Sequence, residues 1–479
     1  MSHRKIVARI IGLVVLLSLV VSCGPAATPA PEPTTPPPPP TTAPEPTMAP
    51  EPTTAPGATA APEATATTAP EATATPEAPA MEPVTLKLWK YASRMPNQGL
   101  WVEEMIALYM EENPHITIVY EEFPFATYGM ETLPIAFAGG DSPDVFWATG
   151  THVRELYESG VLLPLDDYVT AEFKADMDPR KLEANMYGGK LYRIAFETDA
   201  TALCIRTDLW EAAGMTDGDI PTDWEELKDV AGRLTTPEHY GIYLAPNPTN
   251  HSVWQFVSWM WMAGGEVVNR ELTEVYYDNP GTVAALQLWL DLMDAGSMVP
   301  SALGIGEAIG TGKAVMEFCA SSHLGLVIQA YPDVYDLIKV VPLPLPGGEA
   351  KQERYLVGGG YGLAVSNQNE HPEEAAKLAA WLMAEDPSRP TKWLTWARPS
   401  LPPRKSVLES AEYQQMMADD PRFAQFAEGL PYGRSELDAP AEIVQGVIDS
   451  MQAVLFGGVS PEDAAAMGAA QMQAYIDSR

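Results

Sequence analysis

Residues 24 to 83 constrain this chain more than any other feature. Gly24 to Pro83 is built almost wholly of Pro, Thr, Ala and Glu and holds 19 of the 46 prolines, and no Lys or Arg stands between Arg9 and Lys87. Such a stretch has few large apolar side chains to offset the entropy of ordering it, and each proline removes a backbone donor. It cannot join a core, and it reads as a semi-extended tether in the polyproline manner. At about 3.1 Å per residue it would reach on the order of 190 Å when fully extended. The foldable part of the 479-residue chain is therefore 84–479, enough for two cores.

Ahead of the tether, His3, Arg4, Lys5 and Arg9 form a basic cluster, and Ile10 to Val21 is an apolar run too short to remain as a membrane span. Residues 1–22 read as a secretory signal. The run closes on Leu19-Val20-Val21-Ser22-Cys23-Gly24, which resembles a bacterial lipobox, where the cysteine is lipidated and becomes the first residue. Cys23 would then head the tether 23–83 and hold the chain on the outer face of the cell membrane, because several acyl chains anchor stably where one does not. An ordinary signal peptide with an incidental cysteine is the alternative.

The formal net charge of −35 argues against nucleic acid or an anionic membrane surface as a partner. The other cysteines, Cys204 and Cys319, lie in the apolar stretches TALCIR and VMEFCAS with no metal-ligand spacing nearby. Buried free thiols are expected there, with a single bridge as the alternative. No metal site and no cofactor is signalled. Catalytic signatures are also absent: there is no H-E-x-x-H and no G-x-S-x-G, and Gly310-Thr311-Gly312-Lys313 lacks the rest of a phosphate-binding loop.

From Val84 the pattern becomes regular. Val84 to Trp89 alternates like a strand, Leu100 to Glu112 is amphipathic and stops at Asn113-Pro114, and Ile116 to Glu121 is a second strand. Thr127 to Ala138 has helical spacing, Gly139 to Pro143 is a turn, and Asp144 to Trp147 is a third strand. This β-α-β-α-β order opens an α/β lobe with a largely parallel sheet.

Further along come AGGDSPDVFWA, SGVLLPLDDY, GGKLYRIAFETDATALCIRTDLWEAAG, PTDWEEL, GTGKAVMEF, VVPLPLPGGE, GGGYGLAVS and HPEEAAKLAAWL. With the opening LKLW and ENPHITIVYEE, this ordered set resembles the extracellular solute-binding proteins of family 1, the maltose-binding-protein-like lipoproteins of ABC transporters. The resemblance implies a type II periplasmic-binding-protein fold, with two discontinuous α/β lobes joined by a hinge and the ligand between them. It puts lobe 1 at about 84–198 and 345–385 and lobe 2 at about 199–344 and 386–479. Crossings would fall near Glu197 to Ala200, Val341 to Pro346 and Ala384 to Ser388. It also implies an extracytoplasmic component of an ABC importer that delivers a sugar or oligosaccharide to permease subunits served by a cytoplasmic ATPase.

A sugar offers hydroxyl rims and apolar faces, so its site needs carboxylates or amides for the rims and aromatic plates for the faces. Trp89 closes the first strand, and the loop after it carries Ser93, Arg94 and Asn97; Trp147 closes the third and is followed by Thr149. The resemblance places an acidic sugar ligand at Asp199, beside the hinge, although either Asp199 or its neighbour Glu197 could instead serve the hinge alone. It also places a stacking aromatic at Trp254, counted back from Gly264-Gly265, while Trp259 and Trp261 read as core. Ser322 and His323 follow the strand AVMEFCA, where the family often keeps a tryptophan. Gly358-Gly359-Gly360-Tyr361 would let backbone N–H groups approach a ligand or would form a simple bulge, and Arg398 is a candidate at the rim. The rival readings are a secreted glycoside-acting enzyme and a sugar-sensing surface module without transport.

Overall fold

Strand β1 (Val84–Tyr91) alternates buried and partly exposed residues at its start and is wholly buried over its last four. That is the mark of a strand with neighbours on both edges and helices on both faces. The computed structural model describes residues 81–93, 95–347 and 356–479. The signal segment, Cys23, the tether up to residue 80 and Arg94 lie outside the described residues.

After β1, helix α1 (Pro96–Glu112) starts on a proline, whose missing N–H is no loss in a first turn, and stops at Asn113. Strand β2 (Ile116–Phe123), a helical stretch ending on Gly140 at φ 74°, strand β3 (Val145–Ala148) and helix α2 (Gly150–Glu158) follow, then the short β4 (Ile194–Ala195). The chain then builds a second lobe from β5 (Thr201–Arg206), α3 (Trp224–Leu234), β6 (Tyr240–Tyr243), α4 (Asn250–Met262), α5 (Pro280–Asp294), β7 (Ala314–Ala320), α6 (Ser321–Ala330) and β8 (Ile338–Val341). It returns as β9 (Gly362–Val365) and α7 (Pro372–Ala380), and ends in α8 (Ala441–Leu455) and α9 (Pro461–Asp477).

The first sheet runs β2-β1-β3-β9-β4. Its first three strands are parallel, while β9 enters antiparallel to both β3 and β4. The second sheet runs β8-β5-β7-β6 and is mixed. Each sheet has its own core, one around Leu88, Trp101, Trp147 and Trp393 and the other around Trp259, Trp261, Trp289 and Phe318. This is the two-lobed, discontinuous α/β arrangement of the type II binding-protein fold.

Core membership locates the crossings. Phe196 packs in the first core and Ala200 in the second; Leu343 belongs to the second and Leu363 to the first. The third crossing falls later than Ala384 to Ser388. Trp393, Leu394 and Ala397 still pack in the first core, because Trp393 sits among Trp101, Trp147 and Phe196 at centroid distances of 5.1, 6.0 and 5.5 Å. Leu401 then reaches the second core, and Val407 and Tyr413 turn back to the first before Phe423 enters the second for good. At the hinge, Thr198 N donates to Leu401 O at 2.8 Å, so two crossings run side by side.

Cys204 and Cys319 are joined in a disulfide, which corrects the expectation of free thiols. On the antiparallel pair β5 and β7, Cys204 lies opposite Glu317 and Cys319 opposite Ala202. The two cysteines therefore share one face, two residues apart along the ladder, with Cα atoms 5.8 Å apart, within bridging range. Among the described residues, no helix is long and apolar enough to cross a membrane and no group of three His, Cys, Asp or Glu is placed to hold a metal ion.

Candidate ligand-binding cleft

The hinge carries the first charged group of the cleft. Glu197 is buried where the chain leaves the first lobe, and its Oε1 accepts from Tyr361 N at 2.9 Å and its Oε2 from Trp393 Nε1 at 3.1 Å. Arg398, on the third crossing, puts Nε 3.0 Å from Glu197 Oε2. This is an ion pair whose angle falls short of a hydrogen bond, so Nε keeps no hydrogen-bond partner. Burial pushes the Glu197 carboxyl above its usual range, against the pull of Arg398. For Arg398 burial is the largest influence and opposes the charge, and Glu197 together with Tyr91, Asp199 and Tyr361 more than offsets it. The pair ties the hinge together and would be costly to break from one side.

Gly360 sits at φ 121°, and a Cβ there would fall 2.4 Å from Glu197 O. Only glycine permits this approach of β9 to the hinge strand, and the approach sets Tyr361 against Tyr91, ring centroids 4.4 Å apart.

Asp199, the next acid along, does different work. Its Oδ1 accepts from Ser321 Oγ at 2.8 Å and Ser322 N at 2.9 Å, and its Oδ2 from Ser322 Oγ at 2.9 Å. Ala320, at the start of α6, has no side chain to cap the helix, so Asp199 supplies the cap from the hinge. A carboxylate has about four acceptor positions, so one on Oδ2 stays open. The two readings of the acidic pair thus divide between them: Glu197 serves the hinge, while Asp199 caps α6 and also borders the cleft.

The second lobe adds an aromatic shelf. Trp254 on α4 is half-buried, near parallel to His251 at 16° and 5.8 Å, and 5.9 Å from His323 on α6. Gly359 N-terminal to the hinge turn comes so near that a Cβ would lie 3.1 Å from Trp254 Nε1. Burial lowers His251 and His152 to about 4 and holds His323 well below its usual value, which favours the neutral imidazole in all three near neutral pH. His323 Nδ1 is buried without a partner. Across the cleft, Glu436 accepts from Gly150 N at 3.0 Å, and burial raises its carboxyl against the opposing pull of Arg193.

These groups surround a cavity of about 720 Å³, in the size range of small-molecule sites. Of the residues singled out from the sequence, Ser93, Thr149, Asp199, Trp254, Ser322, His323, Gly360, Tyr361 and Arg398 line it. Three others are elsewhere. Trp147 is fully buried in the first core, Trp89 is buried with its Nε1 donating to Glu121 at 2.7 Å, and Asn97 donates to Trp396 O at 3.2 Å. The lining also includes Tyr91 and His152, which the sequence offers after Trp89 and Trp147, and Tyr128, Asn247, His251, Leu303 to Ile305 and Glu436, which it does not single out. His251 was within reach, since it precedes Trp254 by three residues on one helical face. Glu436 carries no local signal at all.

A half-open cleft between two α/β lobes, lined by an aromatic shelf and polar rims, defines a two-lobed binding protein. The chain belongs to the bacterial extracellular solute-binding proteins, whose family profile matches residues 92–387. A relative in Brucella abortus (strain 2308), named a binding protein, is 25% identical over 391 residues, covering 79% of this chain and 90% of its own. Among solved structures, an ABC transporter solute-binding protein of Thermotoga lettingae bound with α-D-tagatose matches at a TM-score of 0.73 and 22% identity, over 82% of this chain and 99% of that one. An ABC substrate-binding protein of Listeria monocytogenes in complex with cycloalternan matches at 0.71 and 19%, over 83% and 100%. At these identities the likeness is one of fold.

Proposed function

We propose that this solute-binding protein captures a sugar or oligosaccharide in the cleft, unaltered, and delivers it to the permease of an ABC importer. The observation that carries the reading is the Trp254 shelf set beside the Asp199 and Ser322 rim in one cavity of about 720 Å³. An indole face suits the apolar face of a pyranose, and hydroxyls suit a rim of carboxylate, serine and backbone groups. The structural relatives described with tagatose and cycloalternan support the same ligand class. Neutral histidines and an Arg398 already paired with Glu197 favour an uncharged solute over an anion. Turnover is not part of the proposal, and a bound sugar should be recovered intact.

Membrane anchoring through a lipidated Cys23 and a tether 23–83 completes the proposal. The Cys204–Cys319 disulfide suits an oxidising, extracytoplasmic compartment. The deciding experiment is a thermal-shift screen of monosaccharides, oligosaccharides and polyols, because a specific ligand raises the melting temperature by mass action. A sugar should raise it in a concentration-dependent way. A flat response to every sugar, with a response to another solute class, would remove the sugar assignment and leave the family standing.

A further inference from the structure

Glu317 stands in the middle of β7 with 1% of its surface exposed. It does not line the cleft, and among the described residues it has no salt-bridge partner. A buried carboxylate without a cation is costly, so its surroundings should show what offsets that cost. Both of its oxygens are engaged by the loop that follows Ser301: Oε1 accepts from Gly306 N at 3.1 Å and Oε2 from Ile309 N at 2.9 Å. The same loop is gripped at two more points. Tyr243 Oη on β6 both donates to Leu303 O and accepts from Leu303 N at 3.1 Å, and Glu307 Oε2 accepts from Gly304 N at 2.7 Å. Gly306 takes φ 69°, and a Cβ there would lie 2.9 Å from Val327 Cγ2 of α6.

This loop is also a wall of the cleft, through Leu303, Gly304 and Ile305. Its only regular element is the five-residue helix Glu307–Thr311, too short to hold its own shape. Of the side chains with Glu's reach, only a carboxylate offers two acceptors to two converging N–H groups; Gln would turn one of them into an opposed pair of donors. We propose that Glu317 is a positioning residue for solute selection, fixing the 303–309 wall from behind and so setting which solutes fit, without touching the solute itself. The proposal rests on the reading that the solute sits in this cleft.

The test compares the full-length wild-type chain with Glu317→Gln and Glu317→Ala. At pH 8, where Glu317 is ionised, hydrogen exchange of peptides covering 303–311 reports the wall, and titration with D-tagatose, maltose and maltotriose reports selection. In Glu317→Gln, exchange over 303–311 should quicken at least tenfold while peptides from β1 and α4 keep wild-type rates. The ratio of affinities among the sugars should change at least fivefold, and Glu317→Ala should exceed Gln in both respects. Unchanged exchange in Glu317→Gln overturns the proposal, as does faster exchange with an unchanged affinity ratio, which would make the residue merely structural. If either variant fails to fold, the other decides. If none of the three sugars binds the wild-type chain, they are not its solutes, the sugar reading is left to the thermal-shift screen, and the exchange arm alone decides whether Glu317 holds the wall.

Discussion

Asp199 accepts three hydrogen bonds from the start of α6 before any solute arrives, whereas Trp254 is half-exposed and makes its contacts through ring faces. The two are therefore expected to respond differently to truncation. Trp254→Ala should weaken sugar binding by roughly 1 to 3 kcal/mol, the range for losing a large apolar contact, with little change in melting temperature; calorimetry against the best sugar of the screen, with a melt of the variant, checks both. Glu317 gives a pH prediction. Burial raises it to about 7, so between about pH 4.5 and 7 the folded chain holds a proton that the unfolded chain has released. Its contribution to stability must then fall as pH rises through that window, by about 3 kcal/mol in all. Denaturant melts of wild type against Glu317→Gln should show the difference shifting against wild type over that range and staying level above it. At this scale the sequence told where aromatic side chains stand along a strand but not where the strand ends. Trp89 and Trp147 were expected to close their strands, but β1 runs on to Tyr91 and β3 to Ala148; both tryptophans lie in packing, while Tyr91, at the true end of β1, reaches the cavity. Trp89 and Tyr91 are two residues apart and share a face, so what separates them is position along the strand: its last residue reaches the cleft, and alternation alone does not say where a strand ends.

Strands and helices were the most legible units. Apolar alternation and proline stops located β1, α1, β2 and β3 to within a few residues because local chemistry alone decides them. The segment from Ser388 to Ala397 was not placed correctly, since an amphipathic stretch shows that it has an apolar face and not which of two cores receives it. Trp393 settled that by filling the space between Trp101, Trp147 and Phe196. The pairing of β5 with β7 was equally hidden, because it joins residues 115 apart in sequence, and with it the disulfide. That bridge closes a long loop, so Cys319→Ser should lower stability by about 2 to 5 kcal/mol. Reductant should lower the melting temperature of wild type and not of the variant. Binding measured well below the melt should be unaffected, because neither cysteine lines the cleft.

Across the whole molecule, the lobes meet in more than the hinge. Arg154 on α2 donates from Nε and Nη2 to the two oxygens of Asp438, at 2.8 and 3.1 Å, and Nη2 also reaches Arg270 O at 2.8 Å. Tyr187 Oη donates to Asp438 Oδ1 at 3.1 Å, and Ala441 N to Glu155 Oε1 at 2.9 Å. Arg154, Glu155 and Tyr187 belong to elements packed in the first core; Arg270, Asp438 and Ala441 flank residues of the second. Glu436 and Leu437 line the cavity, so this cluster adjoins the cleft edge and can form only when the lobes are close. A solute that contacts both lobes favours the closed state by its differential affinity, and the cluster adds to that preference without it. Arg154→Ala should therefore enlarge the ligand-free particle and weaken sugar binding, about tenfold for a loss of about 1.4 kcal/mol, since part of the affinity would go into closing the lobes. Small-angle scattering on a chain starting at Met81, which removes the tether from the measurement, reads the first effect. For wild type the radius of gyration should fall on adding sugar. For the variant it should start higher and fall to the same value. Asp438→Asn should act in the same direction, and the double variant should add little to either, as expected for partners in one contact. A variant that starts at the wild-type radius and binds as tightly would reduce the cluster to a contact that forms after closure and contributes nothing to it.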